Sequence, residues 1–257
     1  MAYYFIFPEK DTTIYSHPDR KNMNTGKDEI LEFVKEPGST DAYHHPSRIL
    51  IKVKNEERKE LISDTIGSSI FNNGTTKTNL QITPTEQKSL VTTLNILVNP
   101  ISQSWHEGSG RYPNTPITSN GTSWIYRDND EDKTQWTTSS FGTGTTGSID
   151  SSLLQKGGGT WYTGSAFQST QQFLNDDPLD INLDVTTIVQ KWSSSLFAGQ
   201  TYPTGITNNG FILRHPNSVE TNTSSSFGEM QYFSSDTDTV YPPSLTFRWD
   251  DRNHLHQ

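Results

Sequence analysis

The segment Ser47-Arg-Ile-Leu-Ile-Lys-Val53 has the alternation of side chains that is typical of a half-buried β-strand. Ile49, Ile51 and Val53 share one face, because successive side chains of a strand point to opposite sides. Similar short runs, separated by Gly, Asn, Pro and Ser, occur at 12–15, 29–34, 78–83, 92–98, 123–126, 210–214, 230–233 and 244–249. Together they predict an all-β fold: a β-sandwich, jelly-roll-like in form, with long ordered loops.

One segment, Asp184-Val-Thr-Thr-Ile-Val-Gln-Lys-Trp192, has the period of a helix. Its apolar residues follow the i, i+3, i+4, i+7 spacing of one helix face: Val185, Ile188, Val189 and Trp192. Asp184 suits the N-cap position, so we predict one short helix over about 184–192, laid across one end of the sandwich. A second, charged stretch over 55–63 is also compatible with a helix and would lie on the surface.

The charge of the chain excludes some partner classes. Its formal net charge is −9, and no cluster of Lys and Arg lies among the aromatic residues. Phosphate binding requires a basic patch, so we expect no nucleic-acid partner. No apolar run reaches the roughly 18 residues that span a bilayer, so we expect no membrane partner. The start of the chain lacks the features of a signal peptide, and cysteine is absent, which suits assembly in a reducing cytoplasm.

The chain begins with an unusually apolar stretch, Tyr3-Tyr-Phe-Ile-Phe7. Residues 1–10 form either a first strand that pairs within the sheet or an arm that docks on a neighbouring subunit. In the second case, the partner-binding side chains are Tyr3, Tyr4, Phe5 and Phe7. We expect a single β-sandwich domain over 11–251, followed by a C-terminal tail at 252–257.

Long glycine-rich loops lie between Trp105 and Trp161. Such loops are usually functional or packed by their own aromatic side chains. Exposed aromatic rings can stack on sugar rings, and the candidates for a glycan-binding role are Trp105, Tyr112, Trp124, Trp136 and Trp161. Burial in the core is the competing interpretation for each ring.

The densest acidic segment is Asp128-Asn-Asp-Glu-Asp132. Asp128, Asp130 and Asp132 are candidate Ca²⁺ ligands, although the segment departs from the EF-hand pattern and also suits a solvated acidic loop. The histidines show no metal-ligand spacing, so no other metal and no cofactor is expected. Glu107 follows Trp105 closely, as a glycosidase acid could. Glycoside hydrolysis needs a second carboxylate at a set distance, and the sequence pairs none with Glu107, so no catalytic residue is assigned.

Several motifs occur in the order found in the DNRLRE-type domain, and together they resemble that family over 11–251. The resemblance is carried by Asp11-Thr-Thr-Ile14, Asn24-Thr-Gly-Lys-Asp-Glu-Ile30, Ser47-Arg-Ile-Leu-Ile-Lys-Val53, Ser104-Trp-His-Glu-Gly-Ser-Gly110, Asn120-Gly-Thr-Ser-Trp124, Asp184-Val-Thr-Thr-Ile-Val189 with Trp192, and Phe233-Ser-Ser-Asp-Thr-Asp-Thr-Val-Tyr-Pro-Pro243 with Trp249-Asp-Asp251. Val53 replaces the aromatic residue of the family's strand. The resemblance implies a β-sandwich module of surface and virion proteins that also occurs in polysaccharide-binding and polysaccharide-degrading proteins. With its insertion at 136–161, the chain is most similar to virion proteins of large tailed phages, particularly myophages of marine cyanobacteria.

We therefore expect a non-catalytic structural protein of a phage virion, in the tail, neck, baseplate, fibre attachment or capsid surface. Its partners would be other virion proteins, copies of itself, or both, and it would assemble in the host cytoplasm. In this interpretation the motif residues maintain the fold, and Arg48 could form a partly buried ion pair with Glu107. The alternative is a glycan-binding module for host-surface adhesion, which requires at least two aromatic rings exposed in one groove.

Overall fold

The computed structural model describes residues 1–39, 43–67, 70–71, 74–86, 93–130, 133–137, 146–147, 157–193, 205–222 and 228–250. The strands in chain order are β1 Ala2–Ile6, β2 Pro8–Tyr15, β3 Ile30–Pro37, β4 His44–Val53, β5 Lys77–Ile82, β6 Leu94–Pro100, β7 Tyr126–Asp128, β8 Thr134–Gln135, β9 Thr146–Gly147, β10 Trp161–Tyr162, β11 Ser169–Phe173, β12 Ile181–Asp184, β13 Phe211–Arg214, β14 Gly228–Phe233 and β15 Ser244–Trp249. The helices are α1 Asn55–Glu60, a π-helical turn Leu61–Ile66, a 3₁₀ turn Ser165–Phe167, α2 Thr186–Ser193 and α3 Asn217–Glu220.

Two antiparallel sheets form the framework. The smaller sheet has the strand order β1-β15-β5-β12. The larger has the order β11-β6-β13-β4-β3-β14, and β2 also pairs with β4. Two short ribbons, β7 with β8 and β9 with β10, lie in the loop region. The predicted all-β, sandwich-like fold is confirmed.

The main core lies between the two sheets. Inward-facing residues of the smaller sheet, such as Leu80 and Phe247, share one apolar cluster with Ile49, Ile51 and Val53 of β4. On its other face, the larger sheet contributes Ile14, Leu50 and Ile212 to a second cluster with four tryptophans from the loops. The strand β4 is therefore buried on both faces, whereas its alternating sequence predicts a half-buried strand. The second face of β4 is buried because a layer of tryptophan-containing loops covers it.

Further differences concern individual strands. The predicted strand at 123–126 is wrong, because β7 begins at Tyr126 and the preceding residues turn to bury the Trp124 side chain. The strand β11 was not predicted, since its sequence Ser-Thr-Gln-Gln-Phe carries one large apolar residue. It forms nonetheless, because it pairs with β6 over its whole length.

The helix predicted over about 184–192 is present as α2, and its apolar face lies in the main core. Asp184 ends β12, and its Oδ1 accepts a hydrogen bond from the Thr186 backbone N–H at 3.0 Å. The Thr186 hydroxyl in turn accepts from the Thr78 N–H at 2.9 Å, which joins the start of the helix to β5. The helix therefore closes one end of the sandwich.

The second helical stretch differs from its predicted surface position. Helix α1 runs into the π-helical turn, whose Leu61, Ile62 and Ile66 are buried in the main core. Arg58 is also buried and donates to the Ser193 hydroxyl at 2.6 Å. The stretch therefore packs inward, because apolar residues directly follow its charged part. None of the helices that the structure describes combines the length and apolar character required to cross a membrane.

Candidate interaction surface

The loop tryptophans are buried. Trp105, Trp124, Trp136 and Trp161 are each at most 4% exposed. The indole N–H of Trp105 donates to the Asn209 carbonyl at 2.9 Å, and that of Trp136 donates to the Ser123 carbonyl at 3.0 Å. These rings fill the second core, so the structure agrees with burial, and their alternative role as sugar-stacking residues is corrected. The remaining candidate, Tyr112, is 47% exposed, and the Arg20 guanidinium lies 5.6 Å from the centre of its ring.

A buried ion pair holds this loop layer on the sheet. Arg48 Nη2 lies 2.6 Å from Glu220 Oε2, Arg48 Nε lies 3.1 Å from Glu220 Oε1, and both side chains are fully buried. The guanidinium also lies over the rings of Trp124 and Trp161, at 4.5 and 5.1 Å from their centres. The partner of Arg48 is therefore Glu220 of α3, which corrects the expected pairing with Glu107.

Glu107 instead belongs to a cluster of acidic residues around Lys27. Lys27 Nζ lies 2.6 Å from Glu107 Oε2 and 3.3 Å from Asp236 Oδ1. Nearby, Asp11 is buried and accepts from the Ser235 N–H at 2.7 Å, and burial raises the pKa of its carboxyl to about 7. Burial also raises the pKa of Glu107, while Lys27 opposes that rise. Four of the motif stretches thus meet at one place and hold loops together through polar contacts.

The backbone geometry of the same region explains two motif glycines. Gly121 has a φ of +77°, and a Cβ there would lie 2.9 Å from the Glu107 carbonyl carbon. The same Cβ would overlap the backbone of Gly108, which has a φ of +82°. Asn24 donates to the carbonyls of Glu107 and Thr122 at 2.6 and 2.8 Å, which fixes the loop around both glycines. Fold maintenance accounts for these residues.

The structure places His106 beside two of the predicted calcium ligands. His106 Nδ1 lies 2.6 Å from Asp130 Oδ2 and 3.9 Å from Asp128 Oδ1, and all three side chains are about half exposed. Asp132 lies outside the described residues. Ca²⁺ takes oxygen ligands, whereas an imidazole with two carboxylates suits Zn²⁺ or Mn²⁺ better. A surface contact between His106 and Asp130 also accounts for the arrangement. His106 was missed because it is distant in sequence from both acids.

Three of the predicted partner-binding residues, Tyr3, Tyr4 and Phe5, lie on β1 at the edge of the smaller sheet, and Phe7 follows it. Ile6 points into the main core, and Tyr4 is on the same side, with its hydroxyl 3.2 Å from Glu57 Oε1 of α1. Tyr3 and Phe5 lie on the outer face, opposite Arg248 and Thr246 of β15. They are 56% and 50% exposed, and Phe7, which follows the strand, is 53% exposed. We call Tyr3, Phe5 and Phe7 the aromatic edge.

A groove of about 410 Å³ adjoins the aromatic edge. Its lining includes the aromatic side chains of Phe5, Phe7 and Tyr241 and the amide side chains of Gln81 and Asn182. Tyr241, together with Val240, is exposed, and neither was predicted to form part of a surface site. Val240 and Tyr241 precede Pro242 and Pro243 at the entry to β15, and both side chains line this groove with Phe5 and Phe7.

Comparison with known proteins identifies no relative: no family model matches the chain, and no curated protein matches it. The resemblance to the DNRLRE-type domain therefore remains an expectation from the motifs.

Proposed function

We propose that this chain is a non-catalytic structural component of a phage virion and that it acts through protein–protein contacts at the aromatic edge. The observation that carries the proposal is a row of half-exposed aromatic rings on an edge strand. Burying one such side chain contributes about 1.5–3 kcal/mol, so a chain that exposes three of them in a row gains stability from a partner. Contiguous exposed apolar patches are typical of interaction sites.

A structural role also fits the acidic residues. Asp11 is buried and hydrogen-bonded, and Glu107 forms an ion pair with Lys27. A glycosidase acid must reach the oxygen of a glycosidic bond, and these two carboxyls face loop backbone and lysine instead. We therefore assign both carboxyls a role in maintaining the fold, since four of the motif stretches meet there.

Quantitative mass spectrometry of purified particles from the source, calibrated against the major capsid protein, tests the proposal. We expect a constant copy number that matches a symmetry of the tail, neck, baseplate, fibre attachment or capsid surface, because virion parts repeat by symmetry. A chain that is absent from particles and present in the medium or on cells would contradict the proposal.

A second candidate function is glycan binding in the groove beside the aromatic edge. Gln81 Oε1 accepts from the Thr246 hydroxyl, and Asn182 Oδ1 accepts from the Asn79 amide. The NH₂ groups of Gln81 and Asn182 are thereby directed to other acceptors. Aromatic rings beside such donors form a surface on which a sugar ring can stack and be hydrogen-bonded. This site differs from the predicted one, because it lies on the smaller sheet and not in the tryptophan loops.

Binding of purified host surface polysaccharide, measured by affinity electrophoresis, tests this candidate. If the groove binds glycan, Gln81→Ala and Asn182→Ala should each weaken binding about tenfold, since each removes a hydrogen bond worth roughly 1 kcal/mol or somewhat more. Gln172→Ala is the matched control, because it removes an exposed amide from β11, outside the groove. Equal binding by all variants, or no binding by the parent chain, would exclude the groove.

A further inference from the structure

We propose that the partner at the aromatic edge is a second copy of this chain, which adds its own β1 antiparallel to the first across a two-fold axis. The two smaller sheets would then become one continuous sheet. This inference deepens the proposed function, since it names the partner of the same surface.

The strand β1 is an edge strand. It pairs with β15 over its whole length, from Ala2 opposite Trp249 to Ile6 opposite Leu245. No other described strand lies beside it in the sheet. Alternate N–H and C=O groups of an edge strand point away from the sheet, so β1 presents main-chain donors and acceptors to a further strand.

Two other sheet edges, at β12 and β14, are covered by neighbouring residues. At the β12 edge, the Gln171 side chain accepts from the Asn182 N–H and donates to the Asp180 carbonyl, both at 2.8 Å. The β14 edge is covered by residues 83–85, because the Thr85 N–H donates to the Gln231 carbonyl at 2.9 Å. Natural sheets protect their edges in such ways, or with charge and proline. Between Ala2 and Phe7, the edge strand β1 has no charged residue, no proline and no bulge.

The strand β1 is complementary to itself. A two-fold axis at Tyr4, the middle of the strand, places Tyr3 of each copy opposite Phe5 of the other. Both rings are on the outer face and half exposed, so two aromatic cross-strand pairs form. An isologous contact of this kind requires the same strand twice and closes after two copies. No other chain has to supply a matching side chain.

Charge affects the pairing, because each copy carries a formal net charge of −9. On the outer face, Arg248 of β15 lies opposite Tyr3. In the paired sheet, the two Arg248 residues are separated by three strand spacings, roughly 14 Å, which exceeds the Debye length of about 10 Å at 0.1 M salt. On the outer face, these two charges therefore add little repulsion at physiological ionic strength. On the other face, each Glu57 lies 3.2 Å from a Tyr4 hydroxyl near the axis, so lowering the salt concentration should weaken the dimer.

Sedimentation equilibrium of the full chain tests the inference. We expect a reversible dimer of twice the chain mass of 28.9 kDa at concentrations up to roughly 100 µM. Phe5→Lys should weaken the dimer at least about tenfold, because it places a charge on the edge and removes both aromatic pairs. Leu174→Lys is the matched control, since Leu174 is 52% exposed and lies outside β1, and it should leave the dimer unchanged.

Cross-linking keeps the inference testable if Phe5→Lys folds poorly. The chain has no cysteine, so Tyr4→Cys introduces a single thiol. Opposed residues of antiparallel strands lie about 4.5–5.5 Å apart at Cα, within the range of a disulfide. Under mild oxidation, Tyr4→Cys should form a covalent dimer and Leu174→Cys should stay largely monomeric. A parent chain that is monomeric throughout, or equal cross-linking of both variants, would overturn the inference.

The two proposals fail separately. A monomer in solution that still has a constant copy number in particles removes the self-pairing and leaves the virion role intact. A chain that dimerises in solution but is absent from particles supports the self-pairing and contradicts the virion role. Particles in which β1 pairs with a different virion protein would also overturn the self-pairing while supporting the proposed function.

Discussion

Glu220→Gln is expected to lower the free energy of unfolding by about 3–5 kcal/mol, because it leaves the Arg48 guanidinium buried without its counter-charge. The two side chains meet through two hydrogen bonds and are both fully buried, so water cannot replace the lost carboxylate. The same guanidinium packs over the rings of Trp124 and Trp161, so the substitution should also destabilise the loop layer. Urea unfolding at neutral pH measures the effect as a lower midpoint at unchanged slope.

An exposed ion pair supplies the control for this prediction. Arg111 Nη1 lies 3.4 Å from Glu29 Oε1, and both side chains are more than half exposed. Glu29→Gln should change the free energy of unfolding by less than about 1 kcal/mol, because water solvates both charges and screens their attraction. Similar small losses for Glu29→Gln and Glu220→Gln would show that water reaches the Arg48 pair.

Trp161→Ala is expected to lower the free energy of unfolding by about 3–5 kcal/mol, since it removes a large buried ring and leaves a cavity. The ring is 1% exposed and lies between two guanidinium groups, 5.1 Å from that of Arg48 and 4.5 Å from that of Arg214. Differential scanning calorimetry and urea unfolding both measure the loss. The result separates a core residue from a sugar-stacking one, because a ring that binds a ligand at the surface contributes little to folding.

Tyr112→Ala is the matched comparison, because Tyr112 was a glycan candidate of the same loop region and is exposed. Its replacement should change stability by less than about 1 kcal/mol, as for most surface substitutions. If Trp161→Ala were as mild as Tyr112→Ala, the tryptophan loops would not be part of the folded core, and glycan binding through them would return as a hypothesis.

Much of the framework could be predicted from local pattern. The alternation in β4 and the helical period in α2 each reflect which side chains must leave water, and that requirement acts on neighbouring residues. The predicted burial of a strand is wrong where a second layer covers its other face. Leu50 points away from the main core, and nothing adjacent to it in the sequence shows that four tryptophans cover it.

The candidate sites were less predictable, because each depends on which distant segments meet. Arg48 and Glu220 are 172 residues apart in the chain, and no local spacing links them. His106 joins Asp128 and Asp130 only through loop packing. The aromatic edge is a partial exception, since an apolar chain start already predicted Tyr3, Phe5 and Phe7 as a strand or a docking arm. The structure places Tyr3 and Phe5 on the outer face of an edge strand, where they are exposed.

The sequence alone determined the fold class, the helix α2 and the exclusion of thiolate and disulfide chemistry, because composition and periodicity constrain each of these directly. Only the tertiary structure decided which aromatic side chains are buried and which remain at the surface. Trp161 and Phe5 are both large aromatic residues of a β-rich chain, yet one fills the second core and the other lies half exposed on an edge. The reason is physical: exposure depends on whether another segment covers the ring, and contacts between distant segments leave no periodic trace in the sequence.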